Sequence, residues 1–261
     1  MRRTLTAMLT CGLGVLMTSC SAGASVPVVP GSSVSITAPG KATVYVAVGA
    51  SETVGAGADI DRFRNAWPSR FYVTALSRAT VEYNLGIGGA TVAKALTDEL
   101  PQALAVHPTV VTVWLNVDDL VALVAPADYE RDLGTLVHAL RQGGTAKVLV
   151  ANMPVIDHLP QVLACVRDGT VSELSAHCPI QFRLRRYSAV QLAEQETAYN
   201  EAVQRVVTRE GAILVDLHAQ GDVPVEHPDY VDREDGFHPS DQGHIAVAAA
   251  FTAALLRAGG E

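Results

Sequence analysis

A serine flanked by glycines follows the first run of β-branched residues in this sequence. Ser51 lies in the segment GASETVG at 49–55, directly after the run at 44–48. A serine placed where a strand opens into a helix can project its hydroxyl group into a crevice, and the glycines let the backbone turn tightly. The segment indicates a nucleophile, although a serine in this position also fits a turn or a helix N-cap.

An aspartate and a histidine stand three positions apart near the C-terminus, at Asp235 and His238. A serine hydroxyl becomes a good nucleophile when an imidazole takes its proton, and an imidazole does this well near neutral pH. The imidazole in turn needs a carboxylate that fixes its tautomer and stabilises the imidazolium form. Asp235 and His238 could satisfy that pairing within one tight turn, with Ser51 as the nucleophile.

The residues around this pair also fit a purely structural role. Ser240 or Asp241 could cap a helix, and Pro239 could set the bend that leads into it. His244 lies within the predicted helix, and we expect it to be a packing or capping residue. The residues alone are therefore also consistent with a turn that serves only to begin the last helix.

Five short apolar runs alternate with helical patterns along the chain and must position these residues. Nearly all-apolar runs of four to six residues are typical of parallel strands that are buried on both faces. The predicted strands lie at 44–48, 81–84, 110–115, 147–151 and 212–217, and the predicted helices at about 62–78, 91–104, 127–142, 188–209 and 241–257. This alternation predicts a doubly wound α/β/α sandwich.

The chemistry of such a fold is expected at one edge of the sheet. In open parallel sheets, ligands bind beyond the carboxyl ends of the strands. The segments that follow those ends are 49–57, 86–91, 116–119 and 232–238. The sequence therefore predicts that Ser51, Asp235 and His238 lie close together.

Four short segments, taken in order, resemble the four sequence blocks of the SGNH (GDSL-like) hydrolases. They are Gly-x-Ser-x-x-x-Gly around Ser51, a Gly-rich turn at 84–91, an Asn/Asp turn at 116–119 and Asp-x-x-His at 235–238. The resemblance implies a flavodoxin-like three-layer α/β/α sandwich with a five-stranded parallel sheet. It also implies that the chain cleaves esters or thioesters through an acyl-serine, without a metal or an organic cofactor.

The match of the blocks implies a role for each chemical group. Ser51 would be the nucleophile, and Asp235 and His238 would complete its triad. The backbone N–H groups of Ser51 and Gly89 would form part of the oxyanion hole. These blocks span nearly the whole mature chain, so the resemblance implies a single hydrolase domain.

The third block departs from the family pattern. Family members carry Gly-x-Asn-Asp there, and the Asn side chain donates to the oxyanion, whereas this chain has NVDD at 116–119. Alignment of the strand end places Asp118 at the Asn position and Asn116 at the Gly position. A carboxylate that faces a developing negative charge is unfavourable unless it is protonated. The sequence leaves open whether Asn116 or Asp118 faces the oxyanion.

Two other assignments compete with an SGNH-type ester hydrolase. The first is a degenerate surface lipoprotein that keeps the fold and binds a glycan or lipid without turnover, which Asp118 alone favours. The second is an α/β-hydrolase lipase. Such an enzyme would have a Gly-x-Ser-x-Gly elbow and would carry its acid and its histidine on separate loops, and this sequence has neither feature. The expected substrate is an ester-containing small molecule, a lipid or an acylated glycan, and the sequence does not choose among them.

The N-terminus has the pattern of a bacterial export signal. Arg2 and Arg3 precede an apolar run at 5–17, which is shorter than the roughly 20 residues that span a bilayer. The run ends in LMTSC, which resembles a lipobox with Cys20 as the lipidated residue. A plain secretory signal is the alternative. We expect a signal peptide with lipobox at 1–20, a flexible tether at 21–40 and the SGNH-type hydrolase domain at 41–259.

This pattern predicts where the mature protein is held. Lipidation of Cys20 would anchor it on the outer face of the cytoplasmic membrane or in the cell envelope, and it would be secreted if the lipobox is not used. Membrane contact is expected through that anchor only. The net charge of −8 argues against a nucleic-acid partner, because phosphate binding needs clustered lysines and arginines.

Two cysteines remain once Cys11 and Cys20 are assigned to the N-terminal signal. Cys165 and Cys178 stand thirteen positions apart within the long segment at 154–186. In an exported protein this pair predicts a disulfide, with two buried free thiols as the alternative. Neither cysteine has the spacing of a metal ligand, so we expect no zinc site.

Overall fold

The computed structural model describes residues 43–58, 61–167 and 182–259. The predictions for the segments at 1–20 and 21–40 lie outside the described residues, as do Cys20 and Cys178. Within the described ranges, no helix combines the length and the apolar character that a membrane crossing requires.

One sheet of five parallel strands organises the described chain. The strands are β1 Val44–Gly49, β2 Val81–Asn84, β3 Val110–Trp114, β4 Lys147–Ala151 and β5 Ile213–Val215. Their order in space is β2-β1-β3-β4-β5, and every neighbouring pair is parallel. This is the flavodoxin-like order, in which the direction of winding reverses between β1 and β3. The predicted fold class is confirmed.

Helices connect the strands and cover both faces of the sheet. They are α1 Ser51–Val54, α2 Arg62–Asn65, α3 Trp67–Ala75, α4 Val92–Asp98, α5 Leu100–Ala105, α6 Val117–Val121, α7 Pro126–Arg141, α8 Pro160–Cys165, α9 Ala189–Glu210, α10 Val223–Glu226 and α11 Asp241–Arg257. Two predicted helices are each divided in two. The first breaks at Ala66, and Pro68 lies in the first turn of α3, where a proline is tolerated.

The alternation of side chains along β1 separates two apolar cores. Tyr45 and Ala47 belong to a core on the face that α3 and α11 cover. Val46 and Val48 point to the opposite face, where helices including α7 and α9 pack. Because successive side chains of a strand point to opposite faces, one strand contributes to both layers. This arrangement is the three-layer sandwich that the sequence predicted.

Strand β2 differs from the prediction that every strand is buried on both faces. Val81 is 44% exposed and Tyr83 is 39% exposed. The strand lies at the edge of the sheet and pairs with β1 alone, so no second neighbour covers it. The charged side chain of Glu82 also lies on this strand, and charges on an edge discourage pairing with other chains.

Candidate active site

The nucleophile segment turns sharply between β1 and α1. Ser51 is the first residue of α1, and only Ala50 separates it from the last residue of the strand. A Cβ atom on Gly49 would lie 2.0 Å from the Thr53 hydroxyl oxygen, so no side chain fits there. Gly55 ends the short helix with a φ of 98°, which favours glycine. The flanking glycines therefore permit the turn that presents Ser51.

Two buried side chains from distant segments hold this turn. Glu99 accepts a hydrogen bond from the amide of Gly49 at 2.8 Å. His244 lies in α11, accepts from the amide of Trp67 at 3.3 Å through Nδ1 and donates to the carbonyl of Ala56 at 3.0 Å through Nε2. Burial lowers the pKa of His244 to about 4, which keeps the ring neutral. The packing role predicted for His244 is confirmed, whereas the role of Glu99 had no signal in the sequence.

Asp235 and His238 face each other across a tight turn. Asp235 accepts hydrogen bonds from the amides of Phe237 at 2.8 Å and His238 at 3.0 Å through one carboxylate oxygen. Its other oxygen lies 2.5 Å from His238 Nδ1. Gly236 has a φ of 65°, which allows the chain to reverse between them. Burial alone would raise the pKa of Asp235, but the hydrogen bond from the His238 side chain and its charge lower it.

The imidazole joins this turn to the nucleophile. His238 Nε2 lies 2.9 Å from the hydroxyl oxygen of Ser51, 187 residues away in the chain. Burial alone would lower the pKa of His238, but the hydrogen bond to Asp235 and the nearby carboxyl groups of Glu52 and Asp118 raise it. Ser51, His238 and Asp235 therefore form a continuous hydrogen-bonded chain, within the reach that proton transfer requires.

Ser240 begins the helix that follows this turn. Its hydroxyl oxygen accepts from the amide of Gly243 at 3.3 Å, so it acts as the N-cap of α11. The side chain thus fulfils the structural alternative predicted for this segment, while His238 contacts Ser51 and Asp235 contacts His238.

The Gly-rich turn after β2 lies next to the nucleophile helix. The Asn84 side chain donates to the Thr53 carbonyl at 2.6 Å and accepts from the Gly86 amide at 3.1 Å, which ties the two segments together. Gly89 has a φ of 73°, which favours glycine, although a Cβ atom there would meet nothing within 4 Å. Within the described chain, the amides of Ser51 and Gly89 donate to no protein acceptor.

The two candidates in the third block have different surroundings. Asn116 ends the strand segment as the N-cap of α6, is 2% exposed and donates to the carbonyl of Ala151 at 3.3 Å. Asp118 lies in the first turn of α6, and its carboxyl group interacts electrostatically with Glu52 and His238. Burial, followed by the carboxyl groups of Glu52 and Asp119, raises the pKa of Asp118 to about 7.

Asp119 anchors a neighbouring helix rather than facing His238. It is 1% exposed, and both carboxylate oxygens accept from the amide of Val92 at the start of α4, at 3.2 and 3.0 Å. A carboxylate is favourable at a helix N-terminus because the free amides carry partial positive charge. Burial nevertheless raises the pKa of Asp119 to about 7. Asp119 therefore links the second and third blocks, a role that was not predicted from the sequence.

A pocket of about 80 Å³ opens beside His238. Its walls are mostly apolar and include Trp114, Val117, Ile156, Leu159, Phe237 and Val247. Glu52, the residue after the nucleophile, also lines it and is 7% exposed. Glu52 was not among the site residues predicted from the sequence, although a charged residue stands directly after the nucleophile in GASETVG at 49–55.

Within the described residues, no group of three or more potential ligands is arranged to hold a metal ion. Cys165 ends α8 and is fully buried. Its predicted partner Cys178 lies outside the described residues, so the disulfide stays a prediction.

The family assignment follows from comparison with known proteins. A sequence model of the GDSL-like lipase/acylhydrolase family matches residues 47–246, which include every block described above. The chain therefore belongs to the GDSL-like lipase/acylhydrolase family, and it is a carboxylic ester hydrolase. A search of curated proteins found no match to this chain.

Solved structures of other proteins share this fold. An α/β hydrolase enzyme from the metagenome of Lake Arreo, Spain, is 20% identical, with a TM-score of 0.58 over 81% of this chain and 94% of that one. Esterase EstA from Pseudoalteromonas sp. is 15% identical, with a TM-score of 0.59 over 82% and 97%. A lipase/acylhydrolase from Enterococcus faecalis is 18% identical, with a TM-score of 0.57 over 81% and 94%. At these identities the likeness establishes the fold.

Proposed function

We propose that the protein hydrolyses carboxylic esters through an acyl-serine intermediate, with Ser51 as nucleophile. The observation that carries this proposal is the unbroken contact from the Ser51 hydroxyl to His238 Nε2 and from His238 Nδ1 to Asp235, at 2.9 and 2.5 Å. Asp235 holds the tautomer with hydrogen on Nδ1, so Nε2 is free to accept the serine proton.

In the first half of the reaction, the Ser51 oxygen bonds to the ester carbonyl carbon while its proton moves to His238 Nε2. The tetrahedral intermediate then collapses, the bond to the alcohol oxygen breaks, and Nε2 gives that oxygen its proton. In the second half, a water molecule gives a proton to Nε2 and attacks the acyl-serine. The second tetrahedral intermediate that forms then collapses, which releases the acid, and His238 Nε2 returns the proton to the Ser51 oxygen.

We assign the oxyanion hole to the amides of Ser51 and Gly89, together with Asp118. Both amides lack protein acceptors within the described chain, so they are free to donate to a substrate oxygen. Asp118 is favoured over Asn116, because Asn116 donates to the Ala151 carbonyl whereas Asp118 interacts with His238. A carboxyl group with a pKa near 7 holds its proton in part of the population at neutral pH, and that proton can be donated.

A fluorophosphonate probe tests the acyl-serine proposal directly. The probe should label the wild-type protein at Ser51, and Ser51→Ala should lose both the label and ester hydrolysis. Ser240→Ala is a suitable control, since it removes a serine that caps α11 and takes no part in the hydrogen bonds of the triad. A protein that folds but neither reacts nor hydrolyses esters would support the degenerate binding lipoprotein instead.

The range of substrates within this chemistry includes thioesters and O-acetyl groups on glycans. A panel of p-nitrophenyl esters of graded chain length, with an acetylated polysaccharide beside it, would separate these classes. Activity on the polysaccharide alone would assign an O-acetyl substrate, and activity rising with chain length would assign a lipid.

We further propose that Cys20 is lipidated and holds the enzyme outside the cytoplasmic membrane. Support comes from the charged start, the short apolar run and the lipobox-like LMTSC. Mass spectrometry of the N-terminal peptide from the native host would detect a diacylglyceryl group on Cys20. A mature N-terminus that begins at a residue other than Cys20 and carries no lipid would indicate a plain secretory signal.

A further inference from the structure

Within the described residues, a buried carboxyl group beside the nucleophile forms no ion pair with a lysine or an arginine. Glu52 is 7% exposed, and its nearest hydrogen-bonding contact is the Ser51 hydroxyl at 3.5 Å, which is long for such a bond. Among the ion pairs of the described residues, none joins Glu52 to a lysine or arginine. Burial of a carboxylate without a counter-ion is costly. The Glu52 carboxylate would therefore stabilise a cation that bound next to it.

His238 makes no hydrogen bond to Glu52, although the Glu52 carboxyl group raises the pKa of His238. Its Nδ1 contacts Asp235 and its Nε2 contacts Ser51, so both nitrogens are engaged in the triad. Asp118 interacts with the same region and adds a second acidic group rather than a positive one. The acidic groups around His238 therefore exceed what the triad itself requires.

Glu52 opens onto the pocket beside His238. Trp114, Tyr230 and Phe237 line the same pocket, which is otherwise formed mainly by aliphatic side chains. Aromatic faces attract cations, and aromatic pockets with little water bind alkylated ammonium groups. The volume of about 80 Å³ is several times the roughly 10–15 Å³ that one water molecule requires. The pocket therefore suits a compact cation with alkyl groups on its surface better than a long acyl chain.

We propose that this pocket binds an alkylated ammonium group of the substrate, with Glu52 as its counter-ion. The proposal rests on the proposed ester hydrolysis and names a substrate class: small esters that carry a quaternary or alkylated amine near the scissile bond. The net charge of −8 on the whole chain would favour the approach of such cations.

Two esters of matched shape test the role of charge. Acetylcholine and 3,3-dimethylbutyl acetate differ mainly in that a nitrogen cation replaces a neutral carbon. We expect the wild-type kcat/KM to be about tenfold or more higher for the cationic ester, because truncating a buried charge pair is strongly unfavourable. Glu52→Gln should bring the ratio of the two values close to one. Glu201→Gln removes an equal charge from an exposed position on α9 and should leave the ratio unchanged.

A binding measurement separates this inference from the proposed function. Calorimetry on the Ser51→Ala variant should detect tetramethylammonium, with little response to tert-butyl alcohol, and the additional change Glu52→Gln should weaken binding about tenfold or more. Reaction with a fluorophosphonate but no preference for the cationic ester would overturn the cation pocket alone. Glu52-dependent binding without hydrolysis or labelling would overturn ester hydrolysis and leave the pocket standing. Absence of Glu52-dependent tetramethylammonium binding would refute the pocket.

Discussion

The amide of Gly49 donates a hydrogen bond of 2.8 Å to the carboxyl group of Glu99, 50 residues away. This bond ties the end of β1, two residues before Ser51, to the junction between α4 and α5. Glu99 is fully buried, and burial raises its pKa to about 8 despite the hydrogen bond from Gly49. A titratable side chain therefore supports the turn that presents the nucleophile.

Glu99 should make the stability of the fold depend on pH. Its pKa is raised from 4.5 in the unfolded chain to about 8 in the folded one, so folding takes up a proton between these values. The contribution of Glu99 to the free energy of unfolding consequently decreases as the pH rises through this range. Glu99→Gln can still accept from Gly49 but cannot ionise. We expect the loss of stability between pH 5 and pH 8 to be smaller in this variant by at least about 1 kcal/mol.

Urea unfolding of both proteins at pH 5 and pH 8 measures this difference. Glu201→Gln is the matched control, because the Glu201 side chain is 65% exposed and forms an ion pair with Arg205 on the same helix. Between pH 5 and pH 8, the Glu201→Gln variant should lose as much free energy of unfolding as the wild type. An identical loss in Glu99→Gln would show that Glu99 is ionised in the folded protein.

Asp235→Asn should lower kcat by about three to four orders of magnitude while changing KM little, because the wrong tautomer of His238 is then favoured. In the wild type, activity should also fall as the pH decreases through the raised pKa of His238, since the protonated ring cannot accept the Ser51 proton. Steady-state kinetics on a p-nitrophenyl ester would measure both effects. Glu234→Gln, an exposed change in the same turn, should retain wild-type kcat. A kcat within tenfold of wild type for Asp235→Asn would remove Asp235 from the triad.

Cys165 and Cys178 should be joined in the exported protein. Arg167 lies between them, so trypsin should release two peptides that only a disulfide holds together. Closing a loop of this size is worth about 3 kcal/mol in the chain-entropy model. Peptide mapping before and after reduction would detect the linked pair and its separation. Two separately alkylated peptides from the unreduced protein would establish free thiols.

The sequence predicted the strands and the nucleophile turn because both depend on local patterns. β-Branched runs mark β1 and β3, and glycines at 49 and 55 mark the turn around Ser51. Burial of β2 could not be predicted in the same way, because its composition does not reveal that it lies at an edge. The edge position depends on the order of strands in space, which the resemblance to a family implied but the local pattern did not.

Side chains that support the site from distant positions in the chain could hardly be identified from the sequence. Glu99 bonds to a backbone amide 50 positions away, and His244 to a carbonyl 188 positions away, so no spacing marks either contact. The proximity of Ser51 to His238 was predicted because both segments follow the carboxyl ends of parallel strands, and the order of the family blocks agreed with it. Glu52 is different, because a charge next to the nucleophile in an otherwise small and apolar segment could have been recognised from the sequence.

The replacement Asp118→Asn tests the unusual third block. Asp118 lies beside His238 and Glu52 and has a pKa of about 7, so its carboxyl group can donate only while it is protonated. A neutral amide would donate at every pH, and a single oxyanion donor is typically worth about 100- to 1,000-fold in kcat. Because the surroundings have adapted to aspartate, we expect a smaller rise, about tenfold. Asn116→Ala should be mild, since Asn116 donates to the Ala151 carbonyl.

The pH dependence of kcat provides the stronger test of Asp118. Wild-type activity should fall as the pH rises through about 7, because the donating form of Asp118 is lost there. Asp118→Asn should abolish this fall while keeping the loss of activity at low pH, which belongs to His238. Profiles from pH 5 to pH 9 on one p-nitrophenyl ester, corrected for the ionisation of the product, would resolve the two limbs. Identical profiles, with Asn116→Ala crippling the enzyme instead, would place Asn116 in the oxyanion hole and leave Asp118 outside it.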